Sequence, residues 1–150
     1  DVGYPRDPAL VQPLPGAIEA LLELQRDWAL VIVSNQSGIA RGMISVEEAD
    51  AVQARVIEVF AAGGVTFAGC YRCPHGPEDG CRCRKPAPGM LLDAARDLEL
   101  DLTTSAMIGD KPSDLEAGRA AGCRLTFSFD TTARETWRSL RSSISLAIRE

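Results

Sequence analysis

Apolar positions along the chain follow two alternating patterns, and together they predict strands interleaved with helices. Short apolar runs of strand length occupy residues 29–33, 67–72, 105–109 and 124–129. Between them, apolar residues recur at helical spacing, in segments that begin near residues 15, 46, 89 and 112. This order predicts an α/β fold, a Rossmann-like parallel sheet with helices on both faces.

Local signals mark the ends of several helices. Ser45 and Glu48 form a capping-box pattern, which predicts a helix with Ala49, Val52, Val56 and Phe60 facing inward. Gly63 and Gly64 end it. A second capping box at 132–135 predicts a last helix carrying Trp137, which could supply a packing or dimer surface. The proline-rich residues 1–14 predict an extended loop.

Length and composition limit the class of protein. With 150 residues, 45% of them apolar and 25% charged, the chain is expected to form a single domain over residues 1–150. The net charge of -5 argues against a nucleic-acid partner. No apolar run reaches the ~20 residues of a membrane span, and no signal peptide is visible. We therefore expect a cytoplasmic monomer with no membrane partner.

Four soft-metal ligands lie within eleven residues, and one of them is the only histidine. Thiolates and imidazole suit a tetrahedral zinc ion, and closed four-ligand sites are usually structural. The alternative is a disulfide or ordinary free thiols. Cys70 and Cys123 lie outside the group and are expected to be small core residues. The expected ligands are Cys73, His75, Cys81 and Cys83.

Polar side chains follow two of the strands and the metal loop. They form three pairs, Ser34-Asn35, Arg84-Lys85 and Asp110-Lys111. Because the carboxyl ends of parallel strands lie on one edge, the pairs can converge into a phosphate site. Asp110 would hold Mg²⁺ through oxygen, with Asp114 in support, and Lys85 would neutralise phosphoryl oxygens. The alternatives are a solvated loop after residue 33, Asp110 as a helix N-cap and Lys85 in solvent.

Three segments resemble motifs of the haloacid dehalogenase superfamily of phosphatases. They are VSNQSGIARG at 33–42, CRKPAPGM at 83–90 and IGDKPSD at 108–114. The resemblance implies a phosphoryl contact from the Ser34 hydroxyl, phosphoryl stabilisation by Lys85, substrate recognition by Arg84 and a magnesium ligand at Asp110. It also implies substrate contacts from Asn35, Gln36, Ser37 and Lys111, and a sugar-holding segment containing Asp1, Gly3 and Tyr4. The ligands of the superfamily members' zinc loop match the cysteines and histidine named above.

The resemblance implies a chemistry as well as a fold. It implies magnesium-dependent hydrolysis of a phosphorylated sugar, the 7-phosphate of a heptose 1,7-bisphosphate in lipopolysaccharide synthesis, through an aspartyl-phosphate. Two alternatives stay open: histidinol-phosphate phosphatase activity, and a noncatalytic zinc module that binds phosphate.

The chain departs from the superfamily pattern in two places. The Asp-x-Asp-Gly motif that carries the nucleophile and general acid is absent and is expected just before Asp1. Its strand belongs between the strand ending at Val33 and the one ending at Gly109, so we expect a gap there with two unpaired edges. We therefore expect the sequence to be an N-terminally truncated part of a catalytic chain. Residues 123–150 also differ from the usual ending, so the resemblance does not predict the substrate-facing edge near the last strand.

Overall fold

The computed structural model describes residues 5–129, and all the strands and helices predicted in that range are present. Three short 3-10 turns, at Pro8–Leu10, Pro77–Asp79 and Leu102–Thr104, lie between the main elements. No helix within residues 5–129 is both long and apolar enough to cross a bilayer. The predicted helix with Trp137 lies outside the described residues. The elements are α1 (Ala17–Leu24), β1 (Leu30–Asn35), α2 (Val46–Ala62), β2 (Phe67–Cys73), α3 (Gly89–Asp97), β3 (Ala106–Gly109), α4 (Pro112–Ala121) and β4 (Leu125–Ser128).

The strands pair in parallel, as predicted, but in two separate pairs. β1 pairs with β2, which places Ser34 opposite Arg72 and Asn35 opposite Cys73. β3 pairs with β4, with Gly109 opposite Ser128. Among the described residues no strand links the two pairs, so the expected single sheet is divided between β1 and β3.

The division contains an apolar cavity of about 310 Å³. Its walls are β1 residues 30–33 and β3 residues 106–108, and Leu21, Leu24 and Trp28 contribute to its lining. This is the gap predicted from the sequence. Residues 30–33 of β1 line the cavity, and every residue of this strand is only partly buried.

Helices cover the strands on both faces, and each face has its own apolar cluster. On the α3 and α4 face, Leu91 packs with Met107, Ala117 and Ala121. On the other face, Leu24 of α1 packs with Phe129, close to Trp28, Leu30 and Ile108. α2 lies on this second face, where its residues Ala49, Val52 and Val56 line a pocket together with Ile32 of β1.

The predicted capping box of α2 is present. The Ser45 side chain accepts a hydrogen bond from the Glu48 backbone N–H at 3.0 Å. The Glu48 carboxylate accepts one from the Ser45 backbone N–H at 2.8 Å. Both bonds satisfy amide groups that the first helical turn leaves unpaired.

Candidate active site

Asn35 joins the end of β1 to the segment after the cysteine cluster. Its side-chain oxygen accepts a hydrogen bond from the Lys85 backbone N–H at 3.0 Å. Its side-chain nitrogen donates to the Lys85 backbone carbonyl at 3.0 Å. This pair of bonds fixes Lys85 at the carboxyl edge of the strands, although the two residues are 50 positions apart.

The Lys85 ammonium is held in place by two further partners. Nζ donates to the backbone carbonyl of Val33 at 2.9 Å. It also forms an ion pair with Oδ1 of Asp114 at 2.6 Å. The two side chains are only 9% and 7% exposed, so the Lys85 side chain is largely shielded from water and the alternative of a solvated lysine does not describe it.

Asp114 belongs to the first turn of α4 and uses both carboxylate oxygens. Oδ2 accepts a hydrogen bond from the backbone N–H of Lys111 at 3.1 Å, while Oδ1 pairs with Lys85. A Cβ on Gly109 would lie 2.2 Å from the Cβ of Asp114, so only glycine allows this approach of β3 to α4. The sequence had suggested Asp114 as a support for a magnesium ion; its described partners are Lys85 and Lys111.

Asp110 and Lys111 directly follow β3, and both are exposed. The N-cap of α4 is Lys111, so the alternative that made Asp110 the N-cap is wrong. Within residues 5–129 the Asp110 carboxylate has no hydrogen-bond or ion-pair partner. An exposed carboxylate at a strand end is chemically suited to bind a hard cation such as Mg²⁺.

The predicted metal ligands come together in one cluster, with all four ligand atoms within 4.8 Å of one another. The Cys73, Cys81 and Cys83 sulfurs are 3.0 to 3.6 Å apart. Nδ1 of His75 lies 3.6 Å from the Cys73 sulfur and 3.3 Å from the Cys83 sulfur. A tetrahedral zinc ion has ligand atoms about 3.6 to 3.8 Å apart, given its usual bond lengths. The donor set and spacing therefore fit zinc.

Thiol chemistry in the cluster also favours a cation. All five cysteines are free, and sulfurs 3.0 Å apart are not joined as a disulfide, so that alternative does not apply. Burial and its thiol neighbours raise the pKa of Cys83 to about 12. Burial acts in the same direction at Cys81, but hydrogen bonds from the Arg84 backbone and the neighbouring thiols lower its pKa to about 7. Adjacent negative charges disfavour one another, so a bound cation would be needed for all three sulfurs to be thiolates at once.

The cluster adjoins the phosphate-site candidates through Arg84. Its Nη1 donates to the His75 backbone carbonyl at 3.1 Å, so the guanidinium lies against the metal loop. Gly89, at the start of α3, donates its N–H to the Arg82 carbonyl at 2.9 Å, and a Cβ there would lie 2.2 Å from that oxygen. Two contacts therefore fix the C-terminal part of the loop, one of Arg82 with the start of α3 and one of Lys85 with β1.

The other predicted site residues are distributed around the end of β1. Ser34 and Gln36 line a pocket beneath α2, and Ser37 is buried. Asp1, Gly3 and Tyr4 lie outside the described residues. The sequence did not single out Arg72, which lines the same pocket. Its signal was a charged residue inside an otherwise apolar strand.

Comparison with known proteins identifies the family. A HAD-hydrolase-like family model matches residues 82–127. The D-glycero-beta-D-manno-heptose-1,7-bisphosphate 7-phosphatase of Vibrio cholerae is 45% identical over 130 residues, which are 81% of this chain and 70% of that protein. This chain belongs to the heptose-bisphosphate phosphatase family of the haloacid dehalogenase superfamily.

A second relative from the heptose-bisphosphate phosphatase family is also similar to this chain. The Bordetella bronchiseptica enzyme of the same name is 42% identical over 111 residues, 73% of this chain and 62% of that protein. The chain therefore spans less than two thirds of that relative's length.

Two solved phosphatase structures are similar to this chain in fold and sequence. The crystal structure of the B. bronchiseptica phosphatase, complexed with magnesium and phosphate, matches with a TM-score of 0.82 and 32% identity, over 97% of this chain and 89% of that one. A putative HAD-like phosphatase from Mesorhizobium loti matches with a TM-score of 0.78 and 31% identity, over 97% of this chain and 80% of that one.

Proposed function

We propose that the edge formed by β1, β3 and the segment around Lys85 is the phosphoryl-transfer centre of a magnesium-dependent sugar-phosphate phosphatase. The proposed reaction removes the 7-phosphate of a heptose 1,7-bisphosphate. The observation that carries the proposal is the buried Lys85–Asp114 ion pair at the carboxyl edge of the strands. The names of the family relatives, and the magnesium and phosphate bound by the B. bronchiseptica enzyme, support it.

Burying Lys85 has a cost that a catalytic role explains. Removing two charges from water costs several kcal/mol per ion, and an apolar pair of the same size is often as stable. A preorganised cation in a water-poor site, however, stabilises charge on a phosphoryl group without reorganising during the reaction. The Asp114 carboxylate and the Val33 carbonyl hold the Lys85 ammonium at the end of β1, where the proposed role requires it.

Asp110 and Ser34 complete the proposed phosphoryl site within the described residues. Asp110 would hold Mg²⁺ through a carboxylate oxygen, and the bound ion would supply charge neutralisation at the phosphoryl oxygens. Ser34 would donate its hydroxyl to one of those oxygens. The Asn35 side chain positions Lys85 by two hydrogen bonds to the Lys85 backbone.

The nucleophile is proposed to come from a strand that occupies the gap between β1 and β3. The cavity there is apolar and has a strand edge on each side. An aspartate at the carboxyl end of such a strand would attack phosphorus as the sugar–oxygen bond to phosphorus breaks. A second carboxyl group gives its proton to the departing sugar oxygen, and water then cleaves the aspartyl-phosphate to release phosphate.

Zinc is proposed as a structural ion at Cys73, His75, Cys81 and Cys83. The ligand spacing fits a closed tetrahedral site, which leaves no position for a reacting water. Its role would be to fix the loop that ends in Arg84 and Lys85. Metal loss should then weaken activity indirectly, by displacing Lys85.

The test is phosphate release by the full-length protein that contains this chain. We expect turnover of heptose 1,7-bisphosphate when Mg²⁺ is added and little turnover of histidinol phosphate. In buffer without Mg²⁺ we expect no turnover of either substrate. Preferred turnover of histidinol phosphate would transfer the proposal to that substrate. Phosphate binding without turnover of either would support a noncatalytic module and contradict the enzyme proposal.

A further inference from the structure

The three cysteine sulfurs of the metal cluster are close enough to react with one another. The shortest separation is 3.0 Å, between the sulfurs of Cys73 and Cys83. The Cys81 sulfur is 3.5 Å from that of Cys83 and 3.6 Å from that of Cys73. A disulfide bond is about 2.05 Å long, so the Cys73 and Cys83 sulfurs need to approach each other by only about 1 Å.

Sequence spacing and burial favour the pair with the shortest separation. Cys81 and Cys83 are separated by a single residue, and a disulfide between them would close a small, strained ring. Cys73 and Cys83 are ten positions apart, so the loop between them can close without this restriction. Cys73 is fully buried and Cys83 is partly exposed, so a small oxidant in solvent reaches Cys83 first.

The fold holds Cys73 more firmly than Cys83. Cys73 is the last residue of β2 and lies opposite Asn35 of β1, and its carbonyl accepts the Gln36 backbone N–H at 2.7 Å. Cys83 lies in the loop before α3, two residues before Lys85. Because strand pairing fixes Cys73, an approach of the two sulfurs has to move Cys83. The segment that moves is therefore the one that leads to Lys85.

We propose that Cys73 and Cys83 form a reversible disulfide when the protein meets hydrogen peroxide, and that this modification expels zinc. The Cys83 sulfur attacks one peroxide oxygen, the O–O bond breaks, and the departing oxygen leaves as water, which gives a sulfenic acid. The Cys73 sulfur then attacks the Cys83 sulfur, and the S–O bond breaks to release a second water. Two thiols are thereby oxidised to one disulfide, and one peroxide is reduced to two waters.

Zinc is lost because the sulfurs of a disulfide are no longer thiolate ligands. In the zinc-bound loop the pair starts as two thiolates, so the two protons that complete the waters come from solvent. Only His75 and Cys81 of the four cluster ligands then remain, too few for a closed tetrahedral site. This chemistry depends on the cysteine cluster alone, and only its effect on phosphate release rests on the proposed function.

The test treats the full-length, zinc-loaded protein with hydrogen peroxide and follows three readouts. The mass of the intact chain should fall by about 2 Da, the loss of two hydrogens when one disulfide forms. A colorimetric chelator should detect the release of about one zinc ion per chain. Peptide mass spectrometry should find Cys73 joined to Cys83. A thiol reductant followed by added zinc should restore the original mass and zinc content.

Two variants make the test specific to this pair. In Cys73→Ser the remaining cluster cysteines cannot close a ring readily, so peroxide should add oxygen atoms, about 16 Da each, and the mass should not fall. The control combines Cys70→Ala with Cys123→Ala, because both positions lie outside the cluster. It should lose mass and zinc as the wild type does. If Cys73→Ser does not fold, the peptide map of the wild-type protein decides the question.

The outcomes separate this inference from the proposed function. A disulfide mapped to another pair, a gain in mass without a disulfide, or zinc that stays bound would overturn the inference. Phosphate release is measured before and after peroxide, and oxidation should lower it by displacing Lys85. Untreated protein that releases no phosphate but forms the Cys73–Cys83 disulfide would contradict the proposed function and support the modification.

Discussion

Asp114 links three parts of the candidate site through one carboxylate. It holds the Lys85 ammonium, accepts the Lys111 N–H and packs directly against Gly109. The sequence predicted that Lys85 and the residues after β3 would converge. It could not predict that Asp114 would form an ion pair with Lys85. A carboxylate four residues after Asp110 is equally well placed to be a metal ligand. Side-chain packing decided between these uses.

Replacing Asp114 tests the ion pair through stability. In Asp114→Asn the Lys85 charge stays buried without a counter-charge, so we expect a loss of about 3 kcal/mol in the free energy of unfolding. Urea denaturation measures it. Glu58→Gln, which breaks the exposed Arg55–Glu58 pair, is the control and should change stability by under about 0.5 kcal/mol. If both variants lowered the free energy of unfolding by the same small amount, the Lys85–Asp114 pair would make no measurable contribution to stability.

Replacing Gly109 tests the close contact between β3 and α4. A methyl group there would overlap Asp114, so Gly109→Ala should cost about 1–3 kcal/mol and lower activity by moving the Lys85 partner. Gly76→Ala is the matched control, because its added Cβ would meet its nearest neighbour at 3.6 Å. Thermal unfolding and phosphate release are the readouts. A stable, fully active Gly109→Ala variant would contradict the packing argument.

At the scale of elements, the metal loop was predictable because its ligands are local in sequence. The spacing of Cys73, His75, Cys81 and Cys83 identified the cluster, and the structure brings all four together. What the sequence did not indicate is how the loop is attached. The Asn35–Lys85 bonds and the contact of Gly89 with the Arg82 carbonyl are tertiary, and no local pattern encodes them.

Metal content tests the loop directly. We expect about one zinc ion per chain by mass spectrometry, and a large loss of zinc in Cys83→Ser. Cys123→Ala is the control, since Cys123 lies outside the cluster. Zinc removal should also reduce phosphatase activity. Chelated protein that keeps full activity would contradict a role for zinc in positioning Lys85.

The two remaining cysteines should react slowly and in a pH-dependent way. Burial raises the pKa of Cys70 and Cys123 above the ordinary thiol value of 9.0. A raised pKa leaves less thiolate at neutral pH, so alkylation by iodoacetamide should be slow at pH 7 and accelerate as pH rises past 9. Peptide mass spectrometry follows each site. A midpoint below pH 9 at either cysteine would contradict the burial argument.

At the scale of the whole molecule, the order of strands and helices was predictable and the shape of the divided sheet followed from it. The alternating pattern indicated parallel strands, and the superfamily resemblance located the gap between β1 and β3. The pattern alone could not reveal the partial exposure of β1, because an apolar run does not show which neighbours are present. It also missed the Arg72 pocket, which forms only when β1, β2 and α2 pack together.

Hydrogen exchange tests the proposed central strand in the full-length protein. If a strand pairs with both edges of the gap, amides of residues 31–33 and 106–108 should be protected as strongly as those of β2. Mass spectrometry of labelled peptides resolves these segments. Rapid exchange at both edges would contradict the placement of the strand.

The most direct test of the central claim is the rate of phosphate release from heptose 1,7-bisphosphate by the full-length enzyme and its Lys85→Met variant. Without the buried ammonium, kcat should fall by about 10²–10³-fold, as expected for loss of one preorganised charge. Arg96→Met, at an exposed position on α3, should keep wild-type activity. A folded Lys85→Met enzyme with wild-type kcat would contradict the assignment of this edge as the phosphoryl-transfer centre.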